Sequence, residues 1–424
     1  MKNLITIFFL SLVVTFSTAQ TMYFPPSSGN VWQNATPTSL GWCTSEIDSF
    51  YTYLNQSNSK AFIVLKDGKI VMEKYFGTFT QDSIWYWASA GKSLTSTLIG
   101  IAQQEKLVNI NDLSSKYLGV GWTTAPLAKE NLINIRHQLT MTTGLDDSVN
   151  KDCTLPSCLI YKADAGTRWA YHNAPYTILD KVIEKASGIS LNQFNNSRLR
   201  NKIGMNGLFV TVGDNNVYFS SPRSMARYGL LMLNKGTWNT TKILDDATYF
   251  MDATNTSQQL NKAYGYLWWL NGKASFMVPT LQVVLQGNLV PNAPADMFSA
   301  LGKNGQIINI VPSQNLVVVR MGNSDGSPVP ITYVNEIWKR LNKIICKPTA
   351  TADLESTQFE LFPNPSSDVI TIQSDTQATD IQVFNELGQA MQVVVNDRTL
   401  HIQHLPKGIY FLKIGNMAKR FVKM

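Results

Sequence analysis

Alternation of apolar and polar positions sets out the first elements. Residues 61–75 run Ala-Phe-Ile-Val-Leu, then Lys-Asp-Gly-Lys, then Ile-Val-Met-Glu-Lys-Tyr, the pattern of a β-hairpin around an Asp-Gly turn. After Ser89 the period lengthens: Leu94, Leu98, Ile101 and Ala102 share one face of a helix. A second helix is expected over 174–187, with Asn173 placed to cap it, Pro175 in its first turn and Gly188 to end it. Ser221 to Asn234 also has helical spacing. Runs 306–311 and 316–321 are β-rich and joined by Pro312-Ser-Gln-Asn315, a second hairpin, and an amphipathic helix closes this part over Ile331–Ile345. Strands at both ends of a long, mostly helical middle predict an α+β domain, a mainly antiparallel sheet covered by helices.

The pattern changes after Cys346. Residues 347–358 hold almost no apolar side chains and read as a linker. Beyond them, short alternating strands at Val369–Ile372, Ile381–Phe384, Met391–Val395, Ile409–Ile414 and Phe421–Lys423 are separated by turn residues. That spacing predicts a small β-sandwich over 359–424. The other end opens with Lys2, an apolar run from Leu4 to Phe16 and the small residues Ser17-Thr18-Ala19, which reads as a secretory signal peptide cut after Ala19. No later segment is long and apolar enough to span a bilayer, so an exported, soluble or surface-held protein is expected. The expected division is 1–19 leader, 20–346 main domain, 347–358 linker and 359–424 tail.

Composition narrows the function classes. With 44% hydrophobic and 15% charged residues in 424, the chain is globular rather than disordered or fibrous. The net charge of +7 sits in 20–346, which holds 28 Lys+Arg and 21 Asp+Glu, while 359–424 holds six of each sign. There is no basic run with interleaved aromatics, which argues against nucleic-acid binding. Cys43, Cys153, Cys158 and Cys346 permit two disulfides in an oxidising compartment. Cys153 with Cys158 and Cys43 with Cys346 is one pairing; four buried thiols are the alternative. No His stands at ligand spacing from a Cys, so no metal is expected.

Three stretches carry candidate chemistry. In Ser89-Ala-Gly-Lys92, a hydroxyl and an amine three residues apart share one helix face, and a buried lysine can take the serine proton. Ser57-Asn-Ser-Lys60 matches the same spacing with no helix after it and reads as chance. In Tyr171-His-Asn173, a tyrosine near lysines can act as a phenolate base, and an Asn amide can orient a substrate carbonyl; the structural reading is a packed aromatic and a helix cap. Tyr53-Leu-Asn55 and Tyr333-Val-Asn335 repeat that spacing. Gly302-Lys303-Asn-Gly305-Gln306 leads into a strand, where Lys303 and Gly305 would let a substrate lie near the backbone, and the Gln306 N–H would pair with that of Ser89 as an oxyanion hole. As structure alone, it is a turn before a strand.

In this order the three stretches resemble the serine β-lactamase and penicillin-recognising superfamily, in its class C and esterase branch. His137-Gln-Leu-Thr-Met-Thr-Thr-Gly144, Gly166-Thr-Arg-Trp-Ala-Tyr171, Ser224-Met-Ala-Arg-Tyr-Gly229 and Tyr264-Gly-Tyr-Leu-Trp-Trp269 extend the likeness over residues 40–346. The resemblance implies a Ser89 acyl-enzyme, Lys92 and Tyr171 sharing the base role, and Asn173 and Lys303 near a small-molecule or peptide-like ester or amide; it implies no organic cofactor. Asn304 stands where β-lactamases carry the Thr of Lys-Thr-Gly, which points toward the esterase and amide-oligomer hydrolase members. A non-catalytic penicillin-binding-like module, or a true β-lactamase or D-peptidase, are the alternatives. Leu361-Phe-Pro-Asn-Pro365, Val383-Phe-Asn-Glu-Leu-Gly-Gln389 and Leu405-Pro-Lys-Gly-Ile-Tyr-Phe-Leu412 resemble a type IX secretion sorting domain. That implies the type IX machinery as partner and the surface or exterior of a Gram-negative cell.

One rival remains. Gly322-Asn-Ser324-Asp-Gly326 matches a nucleophile elbow, but Pro328 and Pro330 follow where a helix should begin, and its histidine would have to be His401 or His404 beyond the linker. His137 and His172 read as structural, lacking a clear acidic partner.

Overall fold

A computed structural model describes residues 22–424 except 151, 325–329, 347–358, 374–380, 387 and 415–416; the expected leader and linker lie outside the described residues. The chain divides into two compact units, Met1–Cys346 and Lys347–Met424.

The first unit is built on an antiparallel sheet of β1 (Ser59–Lys66), β2 (Lys69–Tyr75), β3 (Trp269–Leu270), β4 (Phe298–Gly302), β5 (Gln306–Val311) and β6 (Leu316–Gly322), in the order β2-β1-β6-β5-β4-β3. The first hairpin turns at Asp67 and Gly68, both with positive φ. Its central strands are buried on both faces, which is why β1 and β6 are near-continuous apolar runs. Helices α1 (Ile47–Gln56), α2 (Gly91–Gln104), α3 (Asn173–Ser187), α4 (Pro222–Leu233) and α5 (Pro330–Ile344) include those predicted, each within a residue or two.

Alternation assigns the sheet's two faces. Val317 and Ile308 meet α4, where a Cβ on Gly229 would lie 2.5 Å from Val317 Cγ1, so helix and sheet approach closely. Asn309 faces the other way and accepts from Trp338 Nε1 of α5 at 3.0 Å, and Phe62 packs edge-on against Phe50 of α1. The middle is less purely helical than expected. A three-stranded sheet of Trp85–Tyr86, Asn215–Ser220 and Leu208–Val212 braces the chain just before Ser89. Disulfides join Cys43 to Cys346 and Cys153 to Cys158, which settles the cysteine question against free thiols.

The second unit has two four-stranded antiparallel sheets around Phe359, Ile370, Val383, Leu400, Leu412 and Phe421. Its predicted strands are present, the Met391–Val395 run being split into Ala390–Met391 and Val394–Asn396; Glu360–Phe362 and Thr399–His401 were not foreseen. Among the described residues, no helix is long and apolar enough to cross a membrane.

Candidate active site

Ser89 lies in a single 3₁₀ turn, Ala88–Ala90, that runs into α2. The entry is fixed by Trp87, fully buried, whose Nε1 donates to Ser220 Oγ at 2.8 Å and whose backbone N–H donates to Tyr218 O at 2.8 Å. Between this anchor and the serine, Ala88 holds φ at +46°, a left-handed conformation that costs a β-carbon residue energy and persists only where its surroundings impose it. Lys92 is 3% exposed, and its Nζ donates to Ser89 Oγ at 3.0 Å. That Nζ also lies 4.0 Å from the ring centre of Tyr176 and 5.1 Å from that of Tyr171, so aromatic faces take the place of water around it.

Tyr171 stacks on Trp269 at 5.7 Å and meets Tyr264 and Trp169 edgewise or tilted. Burial pushes its hydroxyl well above the ordinary phenol range, and the hydrogen bond with Ser89 opposes this only in part. The expected phenolate is therefore disfavoured, and Tyr171 stands beside Ser89 as a neutral phenol. Asn173 does not cap α3 as expected. It is the first helical residue, after an N-cap at His172 that makes no side-chain cap bond. Its Nδ2 instead donates to Asp152 Oδ1 at 2.6 Å.

The third stretch needs correction. The strand pressed against Ser89 is β4: a Cβ on Gly302 would lie 2.4 Å from Trp87 O and 3.1 Å from Ser89 N. Residues 303–305 form the hairpin tip beyond it, where Lys303 is exposed and Asn304 Nδ2 donates to Tyr86 Oη at 2.7 Å. Gly305 is required by its neighbours, since a Cβ there would meet Arg320 Nη1 at 2.7 Å with φ at +70°. Gln306 is fully buried one strand away from Ser89's neighbour, its side chain exchanging bonds with the backbone of Gly322 at 2.6 and 3.1 Å. Gly305 and Gln306 thus hold the sheet together, and the backbone beside Ser89 belongs to Gly302. Tyr176 and Asp152 were missed, and Gly302 and Trp169 stood inside recognised stretches with no role given to them; of the two missed residues only Tyr176, three residues after Asn173 on the same helix, had a spacing that could have been found.

The other candidates separate cleanly. Ser57 Oγ bonds Tyr333 Oη at 2.8 Å, and Lys60 lies over the rings of Trp85 and Phe79, so that pair is structural. Asn335 Oδ1 accepts from Asn292, which accounts for the later Tyr-x-Asn. Ser324 follows β6, but the next described helix, α5, begins only at Pro330, and His401 and His404 belong to the other unit. His137 completes a capping box with Asn134. His172 is buried, and burial pushes its imidazole down to about 4, so it is neutral. Among the described residues, no group of His, Cys, Asp or Glu is arranged to hold a metal ion.

Comparison with known proteins gives a family to each part of the chain. Residues 52–338 match the Beta-lactamase family, and residues 360–424 match the Secretion system C-terminal sorting domain. The chain is 26% identical over 320 residues to an uncharacterized protein of Alkalihalophilus pseudofirmus, covering 67% of this chain and 89% of that one. It is 23% identical over 382 residues to a putative D-alanyl-D-alanine carboxypeptidase of Salmonella heidelberg, covering 70% and 84%. Its fold superposes on a putative 6-aminohexanoate-dimer hydrolase from Bacillus anthracis with a TM-score of 0.58 at 18% identity, covering 76% of this chain and 91% of that one. The sorting domain assigns the protein to the surface or exterior of a Gram-negative, Bacteroidetes-type bacterium.

Proposed function

Because the chain belongs to the beta-lactamase family, we propose that it is a secreted serine hydrolase that opens an ester or amide bond through a Ser89 acyl-enzyme. One observation carries the reading: a nearly fully buried Lys92 amine within 3.0 Å of a serine hydroxyl at the start of an apolar helix. In the proposed cycle Lys92 takes the proton as Ser89 Oγ attacks the substrate carbonyl. The oxyanion rests on backbone N–H groups of Ser89 and of the β4 edge at Gly302–Lys303. Tyr171, kept neutral by burial, hands a proton to the leaving alcohol or amine and recovers one from Lys92. Water then attacks the acyl-serine and gives a proton to Lys92, which returns it to Ser89 Oγ as the acyl C–O bond breaks and the carboxylic acid leaves. In this reading Lys303, exposed just beyond the β4 edge, meets the polar end of a small or peptide-like substrate, and the tail is the ticket for the type IX machinery.

A fluorophosphonate probe tests this directly. Intact-mass analysis should find one adduct on the wild type and none on Ser89→Ala, with Lys92→Met slowed by at least 10²-fold. Folded wild-type protein that takes no adduct refutes the acyl-enzyme. A panel of p-nitrophenyl esters, D-alanyl peptides and nitrocefin then ranks the substrate classes.

A further inference from the structure

A second cavity lies in the same unit, away from Ser89. It encloses about 560 Å³, within the roughly 300–1,000 Å³ of small-molecule sites. The end of α4, the short helix Ala247–Ala253 and the strands β3 and β4 meet around it. Phe298, in its wall, starts β4, and Gly302, pressed on the Ser89 turn, ends it, so about 13 Å of strand separates the two places. Ala300, between them on the same face, is fully buried, as is Trp268, which meets Phe298 edgewise at 5.2 Å. Packed core therefore stands between this cavity and the proposed nucleophile.

The wall is aliphatic and pliable. Met232, Leu244, Leu270 and Met297 are buried in it, and Met251 stays 63% exposed beside them. Flexible thioether side chains fit themselves to an alkyl chain more readily than to one rigid outline. Most polar groups of the wall are already spent within the fold. Asp245 pairs with Lys242 at 2.9 Å, and Asp296 accepts from the N–H and hydroxyl of Ser313 at 2.6 and 2.9 Å. Asn271 donates to the carbonyls of Val290, Ala293 and Pro294, and Thr254 and Asn255 donate to those of Phe250 and Met251. What is left is the ammonium groups of Lys235 and Lys273 and the hydroxyl of Thr237, which among the described residues have neither an ion pair nor a hydrogen bond.

We propose that this cavity binds an aliphatic carboxylate, with the alkyl chain along the methionines and the head group at Lys235, Lys273 and Thr237. The carboxylate gives the two unengaged ammonium groups a counter-charge and the Thr237 hydroxyl an acceptor. A cationic head is repelled there, since with Lys242 included the mouth holds three ammonium groups to two carboxylates. A chain without a head buries apolar surface but leaves both lysines unmet. Affinity therefore rises with chain length and depends on the sign of the head group. The site carries no step of the acyl-enzyme cycle and stands or falls independently of it.

Calorimetric titration of the full-length protein with decanoate, kept below its micelle concentration, tests this. One equivalent should bind, acetate should not, and decyltrimethylammonium should bind at least tenfold more weakly. Replacing both lysines, Lys235→Glu with Lys273→Glu, should weaken decanoate at least tenfold. Met251→Glu, at the exposed position of the wall, should do the same. Lys303→Glu, beyond the other end of β4, should stay within threefold of wild type. A melting curve on each variant separates loss of binding from loss of fold, and decanoate should raise that of the wild type. No saturable binding of decanoate overturns the inference, as does equal affinity for decyltrimethylammonium. Binding that survives the cavity substitutions in folded protein, or that is lost only in Lys303→Glu, places the carboxylate elsewhere and overturns it too.

Discussion

Replacing Gly302 by Ala adds one methyl group where no atom can yield. The new Cβ would lie 2.4 Å from the Trp87 carbonyl oxygen and close to the backbone nitrogens of Ala90 and Ser89, at 3.0 and 3.1 Å. Relaxed contacts of this kind need about 3.5 Å, so strand and turn must part by about 1 Å. All three contacts are backbone, and Trp87 is tied on both its ring and its N–H, so the strain falls on the turn that carries Ser89. A reacting group misplaced by about 1 Å loses about 10²-fold in rate, near 2.7 kcal/mol of barrier. Overpacking should cost a further 1–3 kcal/mol, or about that, in stability.

Gly91, two residues after the serine, is the matched control. Its φ is −63°, and a Cβ there meets Tyr218 at an ordinary 3.6 Å. Gly91→Ala should keep fluorophosphonate labelling within threefold and raise helix stability by up to about 1 kcal/mol. The assay is the second-order labelling rate of each variant beside its melting curve. A Gly302→Ala protein that labels within threefold of wild type would show that β4 does not set the position of Ser89, and the oxyanion assignment to its edge would fall with it.

Other perturbations reach different parts of the same frame. Burial pushes the Asp180 carboxyl up to about 7 despite bonds from Thr95 and Asn216, so its favourable proton is fully held below about pH 4 and lost as pH rises through 7. Asp180→Asn should therefore flatten a decline in melting temperature between about pH 4 and 7, worth up to about 4 kcal/mol; parallel curves for the two proteins would refute it. Cys43→Ser opens a crosslink spanning 303 positions and should lower stability by up to about 5 kcal/mol, and in reductant, where both proteins also lose the Cys153–Cys158 link, the two should match in calorimetry. Arg320→Lys removes a fork that donates to Ser59 Oγ and to the carbonyls of Ser57, Asn304, Gly305 and Asn323, and should cost about 3 kcal/mol or more in urea unfolding.

What could be read from the chain in advance was whatever is decided within a turn or two of backbone. The Asp67-Gly68 hairpin, the apolar face of α2 and the Ser89–Lys92 pair each depend on spacing of four residues or fewer, and each is where the pattern put it. The failures share the opposite property. Gly302 is glycine because of Trp87 and Ser89, more than 200 positions earlier; the local string Gly-Lys-Asn-Gly announced a turn and hid the strand before it, Phe298–Gly302, which has no β-branched residue. Gly305 and Gln306 looked like cleft residues until Arg320, Tyr333 and Gly322 supplied the reason for both. Asn173 looked like a cap because caps are local, while its partner Asp152 sits in an irregular loop with no period to betray it. A serine and a lysine on one helix face are enough to suggest chemistry, as Ser57 and Lys60 do at the same spacing. What separates the two copies is tertiary: one pair is enclosed by Tyr171, Tyr176 and the edge of β4, and the other is spent on Tyr333 and Trp85. The proposed nucleophile is therefore specified less by its own motif than by the distant residues that shut water away from it, and those are the positions where substitution should be most revealing.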